Sequence, residues 1–259
     1  MTAGRAARFL RLYAGAVYLF LYTPIAMLIL LSFNNTNSIT LPWGGFTLRW
    51  YRALAENQSL FVSLKNSLTL GLSTAAIATV IGALAAFAFR HRFRGQVALM
   101  RTLLLPFVIP GLTIGVALLL LFHALGVRPG LLTTTLVAHV GFTLPYVFVL
   151  ISTSLHRFDE SLEEAAMDLG ADELTTFWQI TFPLIRPGII GSALFAFTLS
   201  FDEFIRTLFT IGNDNTLPIQ IWSMLGSMVS PELNAIATLI VAASVTLVIL
   251  GEVLRGRDR

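Results

Sequence analysis

The sequence predicts an all-α membrane protein of six transmembrane helices, and three observations carry that prediction. Of its 259 residues, 56% are hydrophobic and 12% charged, with a mean hydropathy of +0.78, whereas about a quarter of the residues in a soluble domain are charged. Six stretches reach the roughly 20 apolar residues that a helix needs to cross about 30 Å of hydrocarbon. The basic residues gather in alternate connecting segments, as the positive-inside rule requires. This composition predicts one compact domain over 1–259, with its core helices within about 62–254.

Span one, residues 12–33, exceeds the 7–15 residue core of a signal peptide and lacks a small-residue cleavage site, so it reads as a retained anchor. A polar external stretch follows over 34–66, containing Trp43, Trp50 and Tyr51, aromatics suited to the membrane interface. Span two covers 67–89 and ends in RHRFRG, Arg90 to Gly95. Span three, 103–122, carries Pro106, Pro110, Gly111 and Gly115, and span four, 131–153, carries Gly141 and Pro145. Such residues bend or weaken helices inside a bundle, for packing or for gating. His139 in span four reads most simply as a buried hydrogen-bonding residue, with a proton relay as the alternative. Span five covers 188–211, and an external loop from Gly212 to Leu233 follows, whose IQIWSML reads as a short interfacial helix. Span six covers 234–254.

Twelve of the 17 basic residues fall on the side that holds both termini and four on the other, with Arg206 inside a span. That bias places both termini in the cytoplasm. It also accounts for the isoelectric point of 9.7 without nucleic acid, since no basic patch with interleaved aromatics is present.

The same bias puts the polar insertion between spans four and five, about 154–188, in the cytoplasm. Ser161-x-x-Glu164 has the spacing of a capping box, in which hydroxyl and carboxylate satisfy free amides at a helix start. The helix carries Leu162, Ala165, Ala166 and Leu169 at helical spacing and stops at Gly170, which tolerates the left-handed conformation. Asp172 caps a second helix with Leu174, Phe177, Trp178 and Ile180, which Pro183 and Pro187 end before span five. The result is an αα-hairpin with an exposed apolar ridge, either a packed linker or a docking element of the helix-in-groove kind.

No catalytic constellation is found. Lys65, the only lysine, lies in SLKN rather than in a phosphate-binding GxxxxGK[ST] loop. HExxH and GxSxG are absent, the four histidines are scattered, and without cysteine there is neither disulfide nor thiolate metal site. No catalytic residue, metal site or cofactor is assigned to this chain.

Glu164-Ala165-Ala166, Gly170, Ile180 and Pro183 resemble the EAA---G---------I-LP loop of ABC importer permeases, with Phe182 in place of the usual Leu. WGGFTLRWY, RHRFRG, TLSFDE, LPIQIWSM and SPELNAIA, spread from Trp43 to Ala237, resemble the second permease of spermidine/putrescine-type importers. The resemblance implies a type I ABC importer permease fold in the bacterial inner membrane. It implies that the 154–188 hairpin couples to a cytoplasmic ATPase through Glu164, Ala165, Ala166, Gly170, Ile180 and Pro183. The implied partners are a second permease subunit, two ATPase copies that hold ATP and Mg, a periplasmic substrate-binding protein and membrane lipid. The two external loops are candidates for contact with that binding protein or for lying flat at the interface.

Asp202, Glu203 and Arg206 lie in span five, where each ionised side chain costs about 2.5 to 3.5 kcal/mol on insertion scales. At about 1.5 Å per residue from residue 189, Asp202 falls about 20 Å along the helix, beyond the midplane, with Arg206 one turn further out. With Arg206 four residues from Asp202 and three from Glu203, one carboxylate is neutralised within the helix. The cluster either fixes packing or lets the surplus carboxylate line the path of a cationic solute, with Trp43 as a further candidate contact. Polyamine-type relatives often carry an acidic residue where Gly111 follows Pro110, and Arg206 also suits a carboxylate-bearing solute. The solute is thus polyamine-like or another small polar compound. An ion-coupled secondary carrier is the alternative mechanism, and an inverted repeat, its expected mark, is not evident.

Overall fold

The computed structural model describes residues 2–37, 41–227 and 230–256. Residues 38–40 and 228–229, in the two loops expected to be external, and Arg257 and Arg259 of the terminal basic cluster lie outside the described residues. The helices are α1 (Thr2–Leu31), α2 (Arg49–Glu56), α3 (Gln58–Ala88), α4 (Gln96–Leu104), α5 (Gly111–Ala124), α6 (Leu136–His156), α7 (Ser161–Asp168), α8 (Glu173–Thr176), α9 (Phe182–Phe201), α10 (Ile205–Thr210), α11 (Leu217–Ser227) and α12 (Glu232–Gly256). They pack as two compact units, one of residues up to Leu60 with those from Ile221 onward, the other Phe61–Gln220.

In the first unit, the apolar window of α1 is left unburied, a surface available to lipid or to another subunit. The loop after it is tightly built: buried Asn34 accepts from the Gly44 amide at 2.8 Å, and its backbone carbonyl accepts from Trp50 Nε1 at 2.8 Å. Tyr51 OH lies 2.7 Å from Ser32 Oγ. Trp50 and Tyr51 therefore pin the loop, a packing role beyond the interfacial one expected of them. α2 buries Leu54 against Ala235 and Ile236 of α12.

The second unit has its core where α3, α6 and α9 meet, around Ala78, Ala86, Val147, Phe148, Ile151, Ile185 and Ala196. Helices in lipid gain little from hydrophobic transfer and associate through close packing, for which small residues are needed. Gly82 shows why: a Cβ there would lie 2.6 Å from Val147 Cγ1.

Among the described residues four helical stretches are long and apolar enough to cross a membrane: Ala7–Leu31, Gln58–Ala88, Leu131–His156 and Glu173–Phe201. They lie at the expected spans one, two, four and five. Span three is bent where its prolines and glycines were expected to bend it, and sharply, because Gln96–Phe107 and Gly111–Ala124 meet at 105°. Pro106 and Pro110 remove two amide donors around this corner, and Pro110 takes extended backbone (ψ 137°) as the cap of α5. α12 lies over the expected sixth span, and its described apolar part is Glu232–Thr246. α11 coincides with the short helix expected in the Gly212–Leu233 loop.

Candidate functional site

The insertion between the fourth and fifth spans folds as two helical arms. The expected capping box does not form, since Ser161 already lies in the first turn of α7 and its amide donates to Asp159 Oδ1 at 3.1 Å. Asp159 supplies the acceptor two residues earlier, and these bonds from Ser161 hold its carboxyl below the usual aspartate range. Glu164 is exposed. α7 ends as expected at Gly170, whose φ of +90° is left-handed. The Gly170 amide donates to Met167 O at 2.9 Å and the Ala171 amide to Ala166 O at 3.0 Å, the paired bonds of a Schellman motif. Asp172 then caps α8 by accepting from the Thr175 amide at 2.9 Å.

The second arm does not stop at Pro183. It passes from α8 through a π-helical turn, Phe177–Thr181, into α9, so that Glu173–Phe201 is one helical stretch. Pro183 sits in the first turn of α9 and Pro187 inside it. Pro183 lies just after the π turn, so its missing amide falls where the wider bonding of Phe177–Thr181 gives way to α-helical bonding. The hairpin thus runs directly into the fifth span. Ala166 is buried and Ile180 half-buried, whereas Leu169 is 90%, Leu174 67% and Trp178 56% exposed. An apolar ridge faces outward.

Sequence reasoning missed the residues that hold the hairpin. Arg90, just beyond α3, donates from Nη1 to Glu163 Oε1 at 3.0 Å and from Nη2 to Glu163 Oε2 at 2.7 Å. The Thr181 hydroxyl donates to Glu163 Oε1 at 2.5 Å, and Arg90 also reaches exposed Glu160 at 3.3 Å. The hydrogen bond from Arg90 holds the Glu163 carboxyl below the usual glutamate range, burial opposing, while Glu163 raises the Arg90 guanidinium. RHRFRG was visible in the sequence, but nothing local pairs two residues 73 apart.

The second site is the acidic break in the fifth span. This span was expected to run unbroken to residue 211; instead α9 ends at Phe201, and α10 begins at Ile205. Glu203 lies in the break, one residue before the N-cap Phe204, and serves the first turn of α10: its Oε1 accepts from the Arg206 amide at 2.9 Å and its Oε2 from Arg206 Nη1 at 2.7 Å. Neutralisation is therefore across a helix cap rather than along a continuous helix. Arg206 is 6% exposed, its Cζ lies 3.9 Å from the Phe142 ring centroid, and it lines a cavity of about 240 Å³ with Pro106, Ile114, Gly141 and Phe142. Asp202 is exposed and, among the described residues, forms no ion pair.

His139 of α6 spans this break. Its Nδ1 lies 2.7 Å from Ser200 Oγ in α9 and its Nε2 2.8 Å from Thr207 Oγ1 in α10, so a fully buried imidazole joins both fragments. The hydrogen-bonding role expected for it is met. Trp43 belongs to the other unit, in the segment leading to α2, with its side chain 45% exposed.

The sequence profile described as "Binding-protein-dependent transport system inner membrane component" matches residues 78–257. The chain is 38% identical over 244 residues to the spermidine/putrescine transport system permease protein PotC of Haemophilus influenzae, covering 93% of this chain and 94% of that one. It is 41% identical over 235 residues to the putrescine transport system permease protein PotI of Escherichia coli K12, covering 87% and 83%. Its fold is similar to a chain in the crystal structure of a bacterial ABC transporter involved in the import of the acidic polysaccharide alginate. The TM-score is 0.72, with 15% identity over 99% of this chain and 98% of that one.

Proposed function

This chain belongs to the family of binding-protein-dependent transport system inner membrane components, a multi-pass protein of the inner membrane, and from that premise we propose that it is one permease subunit of an ATP-driven importer of polyamines such as spermidine and putrescine. The observation that carries this reading is the similarity, over nearly the whole chain, to PotC and PotI. Chain 1–259 works as one permease domain with both termini in the cytoplasm. It pairs with a second permease, two ATPase subunits that bind and hydrolyse ATP with Mg, and a periplasmic substrate-binding protein.

The hairpin meets the ATPase. Glu164, Ala165 and Ala166 lie on its first arm, Gly170 makes its bend, and Ile180 and Pro183 lead its second arm into the membrane. The outward ridge of Leu169, Leu174 and Trp178 supports this role, because apolar anchors on a short helix suit a groove in a partner. Asp202, Glu203 and Arg206, with Trp43 on the external side, line the solute path.

The charge arrangement also bears on the solute. Arg206 is buried and engaged by Glu203, whereas Asp202 is exposed and unpaired among the described residues. The free charge is therefore negative, which favours a cation over a carboxylate. The chain has no cysteine of its own, so Leu169→Cys gives a single attachment point for a thiol-directed photo-crosslinker. Cross-linking from Leu169 to the ATPase subunit supports the hairpin assignment; cross-linking only to lipid or to the other permease refutes it.

A further inference from the structure

We propose that Arg90 is a positioning residue that carries movement of the hairpin into the second span. The inference rests on the reading of the hairpin as the ATPase contact, and goes beyond it by naming the link inside this chain.

Three elements converge on one carboxylate. Arg90 comes from the turn just beyond α3, Glu163 from the first turn of α7, and Thr181 from the π turn that opens into α9. Arg90 and Glu163 are 17% and 18% exposed, against 72% for Glu160. The Glu163 pair is thus shielded from water, while the Glu160 contact is of the exposed kind that contributes little. Two parallel N–H···O bonds fix direction as well as distance. A guanidinium does this and an ammonium does not.

Beside the edge-to-face contact of Phe87 with Phe177, ring centroids 5.3 Å apart, this pair is the charged and directional link between α3 and the hairpin. The π turn Phe177–Thr181 departs from regular α-helical bonding, and such turns are frequent at functional sites. Beside the pair is an open cavity of about 280 Å³ lined by Phe87, His91, Met167, Glu173 and Phe177 among others. In its wall the buried hydroxyl of Thr176 has no hydrogen-bond partner. With an irregular joint to the fifth span and room around it, the hairpin is tied to the second span by a ring contact that can slide and by the Arg90–Glu163 pair, which fixes direction. The pair turns displacement of α7 into displacement of α3.

The test uses the complete complex in proteoliposomes and measures solute imported per ATP hydrolysed. Arg90→Gln and Glu163→Gln should keep ATP hydrolysis within about twofold of the unsubstituted complex while import falls about tenfold or more, the range of a coupling free energy between sites. Arg90→Lys should fall between. The charge-swapped double variant, Arg90→Glu with Glu163→Arg, should recover most of the import, which a role in mere folding does not explain. Unchanged import per ATP in Arg90→Gln overturns the proposal, as does a swapped variant that assembles and stays uncoupled. Cross-linking from Leu169→Cys in the otherwise unsubstituted complex separates the two readings. Its failure removes the hairpin assignment, whereas normal cross-linking with normal import in Arg90→Gln removes only the role of Arg90.

Discussion

Glu203 holds Arg206 twice, through the backbone amide at 2.9 Å and through Nη1 at 2.7 Å. One carboxylate thereby starts a helix and neutralises a buried cation. Glu203→Gln keeps an acceptor for the amide but leaves the guanidinium without a counter-charge, a loss of about 3 to 5 kcal/mol for a buried pair. The assembled complex should lose most of its thermal resistance, read as the monodisperse fraction after heating in detergent. Asp202→Asn should leave that fraction unchanged and lower polyamine uptake.

Gly111 packs against the other side of the same guanidinium, where a Cβ would lie 3.2 Å from both Nη1 and Nη2. Arg206 cannot easily withdraw, since Glu203 and the Phe142 ring confine it. Gly111→Val should therefore reduce uptake more than Gly111→Ala, and uptake assays on the two variants at matched expression check the order.

Gly170 is the bend of the hairpin, and a β-branched side chain at its φ of +90° is strained by about 1 to 2 kcal/mol. Gly170→Val should shift the hairpin off its partner. ATP hydrolysis should continue while solute imported per ATP falls, and Gly170→Asn, which tolerates the left-handed region better, should retain more coupling.

His139→Ala strips Ser200 Oγ of its partner and leaves a cavity, whereas Thr207 Oγ1 keeps its bond to Glu203 O. A buried hydroxyl left unpaired costs about 1 to 3 kcal/mol. The variant should melt earlier, yet uptake per surviving complex should persist; a relay role would instead abolish uptake without lowering the melting temperature.

The Arg90 and Glu163 pair sets a pH dependence with a definite sign. Arg90 chiefly, with Thr181 and the nearby charge of His91, holds the Glu163 carboxyl below its ordinary value, against the effect of burial. A depressed carboxyl contributes stability that is present above the ordinary value, about 4.3, and is lost as pH falls through the lower folded value. The attachment of the hairpin should therefore be steady through neutral pH and fail only in acid. A carbon-13 carboxyl titration of Glu163 should move upward in Arg90→Gln; an unmoved midpoint contradicts the assignment of cause.

The membrane class was legible because long apolar runs admit no soluble core, and the bend at Gly170 and the cap at Asp172 were legible because both are local chemistry. Ser161 was misread because a capping box and an Asp two residues upstream compete for the same amides, and only the fold decides between them. Pro183 looked like a stop because proline removes an amide, but the π turn before it takes up the change in bonding and the helix continues. The break at Asp202 was hidden by apolar residues that continue to Ile211, so that hydropathy sees one span where the Glu203 carboxylate starts a new helix. Arg90 and Glu163, and His139 with Ser200 and Thr207, are meetings of distant segments. No periodicity records them.

The most direct test of the central claim is uptake of labelled spermidine and putrescine into proteoliposomes that hold the complete complex, with the substrate-binding protein outside. The expected result is polyamine accumulation that requires ATP inside and is indifferent to ionophores. Accumulation driven by an ion gradient in the absence of ATP, or ATP-driven uptake only of a carboxylate compound, would contradict it.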